Sequence, residues 1–367
     1  MIYIIGALAC FYLLNGLYYF IGILRLIIRS KHEINLSNDN KPFVTIVLSA
    51  RNEADSIGKC LESLLNQTYP SIRYEIIPVN DASEDHTMKI INNYTLVNDR
   101  IKPISINPEH RQSQGKINAI DKGILHAKGN IIITTDADTW MGTEWISKMV
   151  GSFDNSTGFL LGITLDQISN NPVHAFQAMD GIGILVIAAA LADMNNPITC
   201  RGTNIAFRKD AYLEVRDKVL HLSSTQGNRE WLMQEINNNT DWKIKSQVDP
   251  DSFVYTSAPD KWTTLINQRA RWASTGKNYT KLSVRLYLIT IYFSLLNFII
   301  SPCALSAEWL CILWGAKLVV DLPVSIAVTR LVNKPGFLLA FPLVYIIQPF
   351  MVTVTAFLGT FDLYRWK

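Results

Sequence analysis

Ile131-Ile132-Ile133-Thr134-Thr135-Asp136-Ala137-Asp138 is a β-branched apolar run that empties into two carboxylates one residue apart. Such a run reads as a buried strand. In open α/β sheets ligands bind at the carboxyl ends of strands, and acid pairs there hold divalent cations that grip phosphate oxygens. An Asp at a strand-to-helix junction has a second reading, the helix N-cap that satisfies free backbone N–H groups. The segments upstream favour the cation site.

Val44 to Ala50 reads as a strand, followed by Arg51-Asn52-Glu53 and by helical spacing of Ile57, Leu61, Leu64 and Leu65 that stops near Tyr69-Pro70. Glu75 to Val79 reads as a second strand ending at Asn80-Asp81, with Ala82-Ser83-Glu84-Asp85 after it. A short strand near Ile104 to Ile106 precedes Gly115-Lys116-Ile117-Asn118-Ala119. That segment opens a helix, where backbone N–H groups and an ammonium meet an anion. Taken singly, the acids suit a solvated turn and Lys116 an ordinary surface lysine. Their shared place at strand ends predicts one ligand-binding edge. The alternation from Lys41 to Lys281 predicts an α/β fold.

The 367 residues carry 34 basic and 31 acidic side chains, so the strong positive charge of a nucleic-acid binder is absent. Five cysteines, an odd number with no CxxC pair, argue against a disulfide framework or structural zinc and suit a reducing compartment. Met1 to Leu24 has no charged side chain and is long enough to cross a bilayer. It lacks the basic start and cleavage site of a secretory signal and reads as a retained anchor. Arg25, Arg29 and Lys31 follow, which directs the next residues to the cytoplasm. Leu286 to Ala307, Trp309 to Thr329 and Phe337 to Phe361 are apolar again. The middle one contains Lys317 and Asp321, four apart and able to pair on one helix face. Pro342 and Pro349 break the last, so two or three C-terminal spans are open. The expected organisation is an anchor over 1–30, a linker over 31–41, a cytoplasmic domain over 42–281 and a membrane region over 282–367. The expected location is the inner, cytoplasmic membrane, multi-pass.

From about Pro42 to Tyr279 the sequence resembles the family 2 glycosyltransferases, inverting enzymes with the GT-A, Rossmann-like nucleotide-sugar fold. It is most similar to the membrane-bound branch of cellulose, chitin, hyaluronan and poly-N-acetylglucosamine synthases. Val44 to Glu53, Val79 to Ser83, Gly115 to Ala119 and the Asp136-Ala137-Asp138 DxD match that family's motifs. Gly202-Thr203-Asn204-Ile205-Ala206-Phe207-Arg208 and the QxxRW motif Gln268-Arg269-Ala270-Arg271-Trp272 match two later ones.

The resemblance implies roles. Ala50, Asn52, Glu53, Asp81, Lys116, Asp136, Asn204 and Arg269 would bind substrates, with Asp81 at the nucleobase and Asp136 at the ribose or sugar. Asp138 would hold Mg²⁺ or Mn²⁺ across the diphosphate. Arg271 and Lys116 would face charge developing on the leaving group, and Gln268 and Trp272 would wall the acceptor cavity. The pattern breaks at the base. Gln226-Gly227-Asn228-Arg229-Glu230-Trp231-Leu232 puts Arg229 where the family carries a base aspartate. A guanidinium cannot accept a proton. Glu230 is the expected base, although a neighbouring helical position points about 100° away; Glu235 lies further along.

The expected function is a membrane-bound inverting hexosyl or N-acetylhexosaminyl transferase, moving sugar from a nucleoside diphosphate sugar to a lipid-linked or membrane-proximal glycan acceptor. Two alternatives stand beside it: a compact processive polysaccharide synthase with an export partner, and a catalytically impaired nucleotide-sugar scaffold in a biosynthetic complex, motivated by Arg229. A generic nucleotidyltransferase leaves Gln268 to Trp272 unexplained.

Overall fold

The computed structural model describes residues 2–30, 41–107, 109, 115–222, 229–279 and 281–365. The expected linker, apart from Lys41, lies outside the described residues. In chain order the elements begin with α1 (Ile2–Ser30), β1 (Val44–Ala50), α2 (Ile57–Leu65), β2 (Tyr74–Asp81), α3 (Thr87–Val97) and β3 (Ile104–Ile106). Next come α4 (Gly115–His126), β4 (Ile131–Asp136), β5 (Thr139–Met141), α5 (Trp145–Gly151), β6 (Thr157–Leu161) and β7 (Thr164–Gln167). They continue with α6 (Pro172–Asp193), β8 (Ile205–Arg208), α7 (Lys209–Leu222), α8 (Arg229–Asn239), β9 (Lys243–Ser246) and β10 (Val254–Ser257). The chain closes with α9 (Trp262–Ala273), α10 (Leu282–Ile300), α11 (Ala307–Leu331) and α12 (Phe341–Thr360).

Two compact units result. One comprises Leu26–Leu165 and Ala188–Ser257, the other Met1–Arg25, Asp166–Ile187 and Ala258–Lys367. Part of α6 and all of α9 group with the apolar helices in the second unit.

The first unit is the α/β body, a GT-A-type fold. Its main sheet has the order β3-β2-β1-β4-β8-β6-β9. Strands β3, β2, β1 and β4 run parallel, β8 runs antiparallel to β4 and β6, and β9 runs parallel to β6. Strand side chains alternate between faces, and the core divides accordingly. Val44, Ile46 and Leu48 pack with Ile57, Leu61 and Leu64 of α2 and with Trp145 and Met149 of α5. Val47, Ile77 and Val79 pack on the other face with Ile120 and Ile124 of α4, Val215 of α7 and Met233 of α8. Burying each such side chain contributes about 1.5–3 kcal/mol. A second sheet has the order β5-β10-β7. The last turn of α1 also belongs to this unit: Arg29 pairs with Asp193 and donates to the Ser246 carbonyl.

In the second unit, the N-terminal part of α1 and helices α10, α11 and α12 expose large apolar side chains, among them Leu14, Leu286, Ile312 and Phe350. Among the described residues, five helices are long and apolar enough to cross a membrane: α1, α6, α10, α11 and α12. Helix α6 differs from the rest because most of its surface is buried. Lys317 and Asp321 do pair, as their spacing predicts, and Tyr12 donates to Asp321 at 2.7 Å. The buried ammonium sits among the rings of Tyr12, Phe298 and Tyr345, which ties α11 to α1, α10 and α12.

Candidate active site

Strand register brings the chemistry to one edge. Ala50 pairs with Asn80, Ser49 with both Val79 and Asp136, and Asp81 with Ile106. Four parallel strands therefore end together, and the loops after β1, β2 and β4 and the start of α4 share that edge. Ala50 is buried in the core beneath it, which leaves its backbone as the part able to meet a ligand. Asp81 is buried at the end of β2.

The loops after β1 and β2 are stitched to each other. Asn52 has φ +55°, and Ala82 has φ +53°. Asn tolerates this left-handed conformation, whereas a β-carbon such as Ala82's costs on the order of 1–2 kcal/mol there. Hydrogen bonds across the loops hold it. The Asn52 N–H donates to Ser83 Oγ at 3.1 Å, and Glu84 N–H donates to Asn52 Oδ1 at 2.9 Å. Glu53 N–H donates to Thr87 Oγ1 at 2.8 Å, and Ala54 N–H to Asp85 Oδ2 at 3.0 Å. Asn52 thus fixes the corner with its amide oxygen.

The DxD turn is equally constrained. Thr139 Oγ1 donates to the Asp136 carbonyl at 2.8 Å, and Thr135 Oγ1 donates to the Thr203 carbonyl at 2.9 Å. Lys116 Nζ reaches Asp136 Oδ2 at 2.9 Å. Burial, reinforced by the charge of Asp136, pushes the Asp138 carboxyl above its usual range; Lys116 and Arg201 oppose that rise. Glu53 is also raised, first by burial; the Ser56 hydroxyl opposes this, and both aspartates add to it. The thiol of Cys60 is fully buried behind this turn and pushed strongly upward by burial, so it stays neutral.

Three carboxyl groups with one ammonium between them leave net negative charge that a cation would relieve. Among the described residues no group of three or more His, Cys, Asp or Glu side chains could hold a metal ion alone. The donor set therefore suits a hard cation bound by one or two carboxylates, with phosphate oxygens completing its shell.

Asn204 has a structural role. It is fully buried, and its amide is spent inside the fold. Oδ1 accepts from Trp145 Nε1 at 3.0 Å, while Nδ2 donates to the carbonyls of Ile163 at 2.8 Å and Ser252 at 2.9 Å. A Cβ on Gly162 would lie 2.4 Å from that amide nitrogen. Asn204 therefore ties the start of β8 to α5 and to the segment after β6. Asn204→Leu is expected to destabilise the protein by about 2–4 kcal/mol, because three buried polar groups lose their partner. Chemical denaturation of both proteins measures this; unchanged stability would contradict the assigned role.

Glu230 lies buried on the first turn of α8. Gln226, Gly227, Asn228 and the side chain of Arg229 lie outside the described residues. One turn on, Gln234 Nε2 donates to the carbonyls of Pro197 and Ile198 at 3.0 and 2.9 Å. Residues at i and i+4 share a helix face, so the face of Glu230 docks on the segment after α6. Three residues beyond Ile198, Arg201 acts electrostatically on Asp138. Sequence reading overlooked Arg201; its only signal is its place immediately before Gly202. Glu235 instead accepts from Asn239 Nδ2 at 2.7 Å, with its carboxyl raised by burial and Lys218 opposing.

The QxxRW residues lie on α9 in the second unit. Gln268, Arg271 and Trp272 are half-buried. Arg269 is only 7% exposed. Its Nη2 lies 2.8 Å from Asp180 Oδ2 and donates to Gln177 Oε1 at 2.7 Å. The guanidinium also sits 5.2 Å from the centroid of the Trp272 ring. Arg269 holds α9 against α6 through these two partners. A Cβ on Gly181 would come within 3.3 Å of Asp166 Oδ2 and 3.8 Å of Arg269 Nη2, so this helical glycine makes room for the cluster.

Comparison with known proteins agrees with this architecture. Residues 45–216 match the family model described as Glycosyl transferase family 2. Glycosyltransferase AglE of Haloferax volcanii is 27% identical over 183 residues, covering 50% of this chain and 58% of that protein. Poly-beta-1,6-N-acetyl-D-glucosamine synthase of Staphylococcus aureus is 25% identical over 280 residues, covering 73% of this chain and 63% of the synthase. The chain thus spans less than two thirds of the length of these relatives. Among solved structures, the mannosyltransferase PcManGT from Pyrobaculum calidifontis, in complex with GDP-Man and Mn²⁺, has a TM-score of 0.55 at 16% identity, covering 94% of this chain and 99% of that one. That likeness shows the fold alone.

Proposed function

The chain belongs to the family 2 glycosyltransferases, and on that premise we propose that it moves one or a few hexosyl or N-acetylhexosaminyl units at a membrane. The donor is a nucleoside diphosphate sugar and the acceptor a lipid-linked or membrane-proximal glycan. The observation that carries this reading is the crowding of Glu53, Asp136 and Asp138 around Lys116 at the strand ends. The apolar surfaces of α1, α10, α11 and α12 support the membrane location, with the α/β body cytoplasmic as the basic residues after α1 favour.

Asp138 would hold Mg²⁺ or Mn²⁺, which when bound supplies Lewis-acid charge and a template for the diphosphate. Lys116 meets the negative charge that grows on the departing diphosphate, and Asp136 orients Lys116. Glu230 takes the proton of the acceptor hydroxyl. The hydroxyl oxygen forms a bond to the anomeric carbon, the carbon–oxygen bond to the diphosphate breaks with its electron pair, and the configuration inverts. Arg271, Gln268 and Trp272 keep the acceptor-side roles that the family resemblance implies.

Glu230→Gln is expected to lower turnover by about 10²–10⁴-fold, the usual worth of a positioned base, with little change in donor KM. Unchanged turnover would remove Glu230 as base. The broader test is a screen of UDP- and GDP-sugars with the purified protein in detergent. Metal-dependent hydrolysis or transfer that stops with EDTA supports the proposal; no turnover with intact nucleotide binding favours a nucleotide-sugar scaffold in a biosynthetic complex. A processive synthase that exports through a partner is the second reading, supported by the match over 73% of this chain to the poly-N-acetylglucosamine synthase. Long polymer in a reconstituted reaction would decide for it.

A further inference from the structure

We propose that Asp121, clamped by Arg216 and Tyr212 of α7, is a positioning residue that sets where Lys116 meets a diphosphate. This rests on the reading of Lys116 as a diphosphate ligand. Asp121 lies in the middle of α4 and is 7% exposed. Arg216 donates from Nε to Oδ1 at 2.6 Å and from Nη2 to Oδ2 at 2.8 Å, and Tyr212 donates to Oδ1 at 2.7 Å.

The rest of the packing around α4 shows why such a clamp is needed. Toward the sheet, a Cβ on Gly123 would stand 2.4 Å from Val47 Cγ1 and 3.2 Å from Val79 Cγ2. That close approach sets the height of α4 above β1 and β2. Methyl groups resist compression but hold little against sliding along the helix axis. On another side, Ile117, Ile120 and Ile124 border a small apolar crevice shared with Phe207 and Val219. The bidentate guanidinium–carboxylate fork is directional and fixes the axial coordinate that the methyl contacts leave loose. Lys209 of α7 adds a second tie just past the end of α4, donating to the Ala127 carbonyl at 2.7 Å.

Asp121 and Lys116 do not share a helix face, since five residues turn about 140° and advance about 7.5 Å. Any influence between them passes through the helix as a rod. Lys116 itself has a half-exposed side chain that pairs with Asp136 at 2.9 Å. A displacement near 1 Å at a reacting centre costs on the order of 10²-fold in rate, so the axial position of α4 matters to the ammonium it carries.

The test uses the full chain in detergent, as wild type, Asp121→Asn, Lys116→Met and the double variant. Two readouts are taken: the acetylation rate of Lys116 relative to the other lysines by mass spectrometry, and the Mn²⁺-dependent affinity for UDP and GDP. Asp121→Asn is expected to change Lys116 acetylation at least threefold while other lysines keep their rates. It should weaken nucleoside diphosphate binding about tenfold in the wild-type background and not further in the Lys116→Met background. Unchanged Lys116 acetylation, or a loss that adds in full to that of Lys116→Met, overturns the proposal. Tyr212→Phe, which removes one hydrogen bond, gives the same readings should Asp121→Asn fail to fold. A wild type that binds neither UDP nor GDP contradicts the proposed function, while the acetylation result still judges the positioning role.

Discussion

Asp138→Asn is expected to lower metal-dependent sugar turnover by at least about 10³-fold, some 4 kcal/mol of transition-state stabilisation, while the protein becomes no less stable. The two effects share one cause. Burial and the neighbouring charge of Asp136 raise the Asp138 carboxyl, so its ionised form costs folding energy at neutral pH. A neutral amide of the same shape removes that cost along with the cation's anchor. The pH dependence follows in sign. The folded carboxyl sits above its unfolded value, so in metal-free buffer the native state binds more protons in the window between the two. Stability from this group therefore falls as pH rises through that window, and Asp138→Asn loses this contribution. Thermal unfolding with EDTA across the carboxylate range reads the slope, and turnover with Mn²⁺ reads the catalytic loss. A variant that is both active and less stable contradicts the assignment.

Asp180→Ala should destabilise the second unit by about 3–5 kcal/mol, the usual result of removing one partner from a buried ion pair. Asp180 and Arg269 are both almost fully buried and lie 2.8 Å apart, so truncation removes the carboxylate paired with a buried guanidinium. Gln177 would remain as an acceptor at 2.7 Å, yet an amide oxygen carries no compensating charge. The double replacement Asp180→Leu with Arg269→Met is expected to recover much of the loss, because apolar residues of similar volume often replace a buried pair at little cost. Scanning calorimetry in detergent compares the three variants. Wild-type stability for Asp180→Ala would mean that the pair does not hold α6 against α9.

The α/β body was legible because its strands obey simple patterns. Ile131 to Asp136 forms β4 as its β-branched run predicts, and Val44 to Ala50, Ile57 to Leu65 and Ile104 to Ile106 take up the expected elements. The common edge was legible as well, since parallel strands ending in polar residues must present them together. Helix α6 was not foreseen. Gly181 to Ala192 is apolar all round, and without a polar face to give a period, length alone separates a buried helix from a strand. The strands of the small β5-β10-β7 sheet are too short to show an alternation. The internal ties of Asn204 and Arg269 were not legible for a common reason: motif position reports that a polar side chain matters, and only the folded chain shows its burial and hydrogen-bond partners. Arg201 was missed because nothing in its spacing links it to Asp138; the segment after α6 makes that link in space.

The most direct measurement is the affinity of the detergent-purified chain for UDP and for GDP, titrated calorimetrically with and without Mn²⁺, beside Asp138→Asn. A cation held by Asp138 and shared with a diphosphate predicts binding at least tenfold tighter with Mn²⁺ for the preferred nucleotide. It also predicts that this gain disappears in Asp138→Asn. Equal affinity with and without metal, or a metal effect that survives in the variant, would show that the strand-end carboxylates do not cradle a diphosphate.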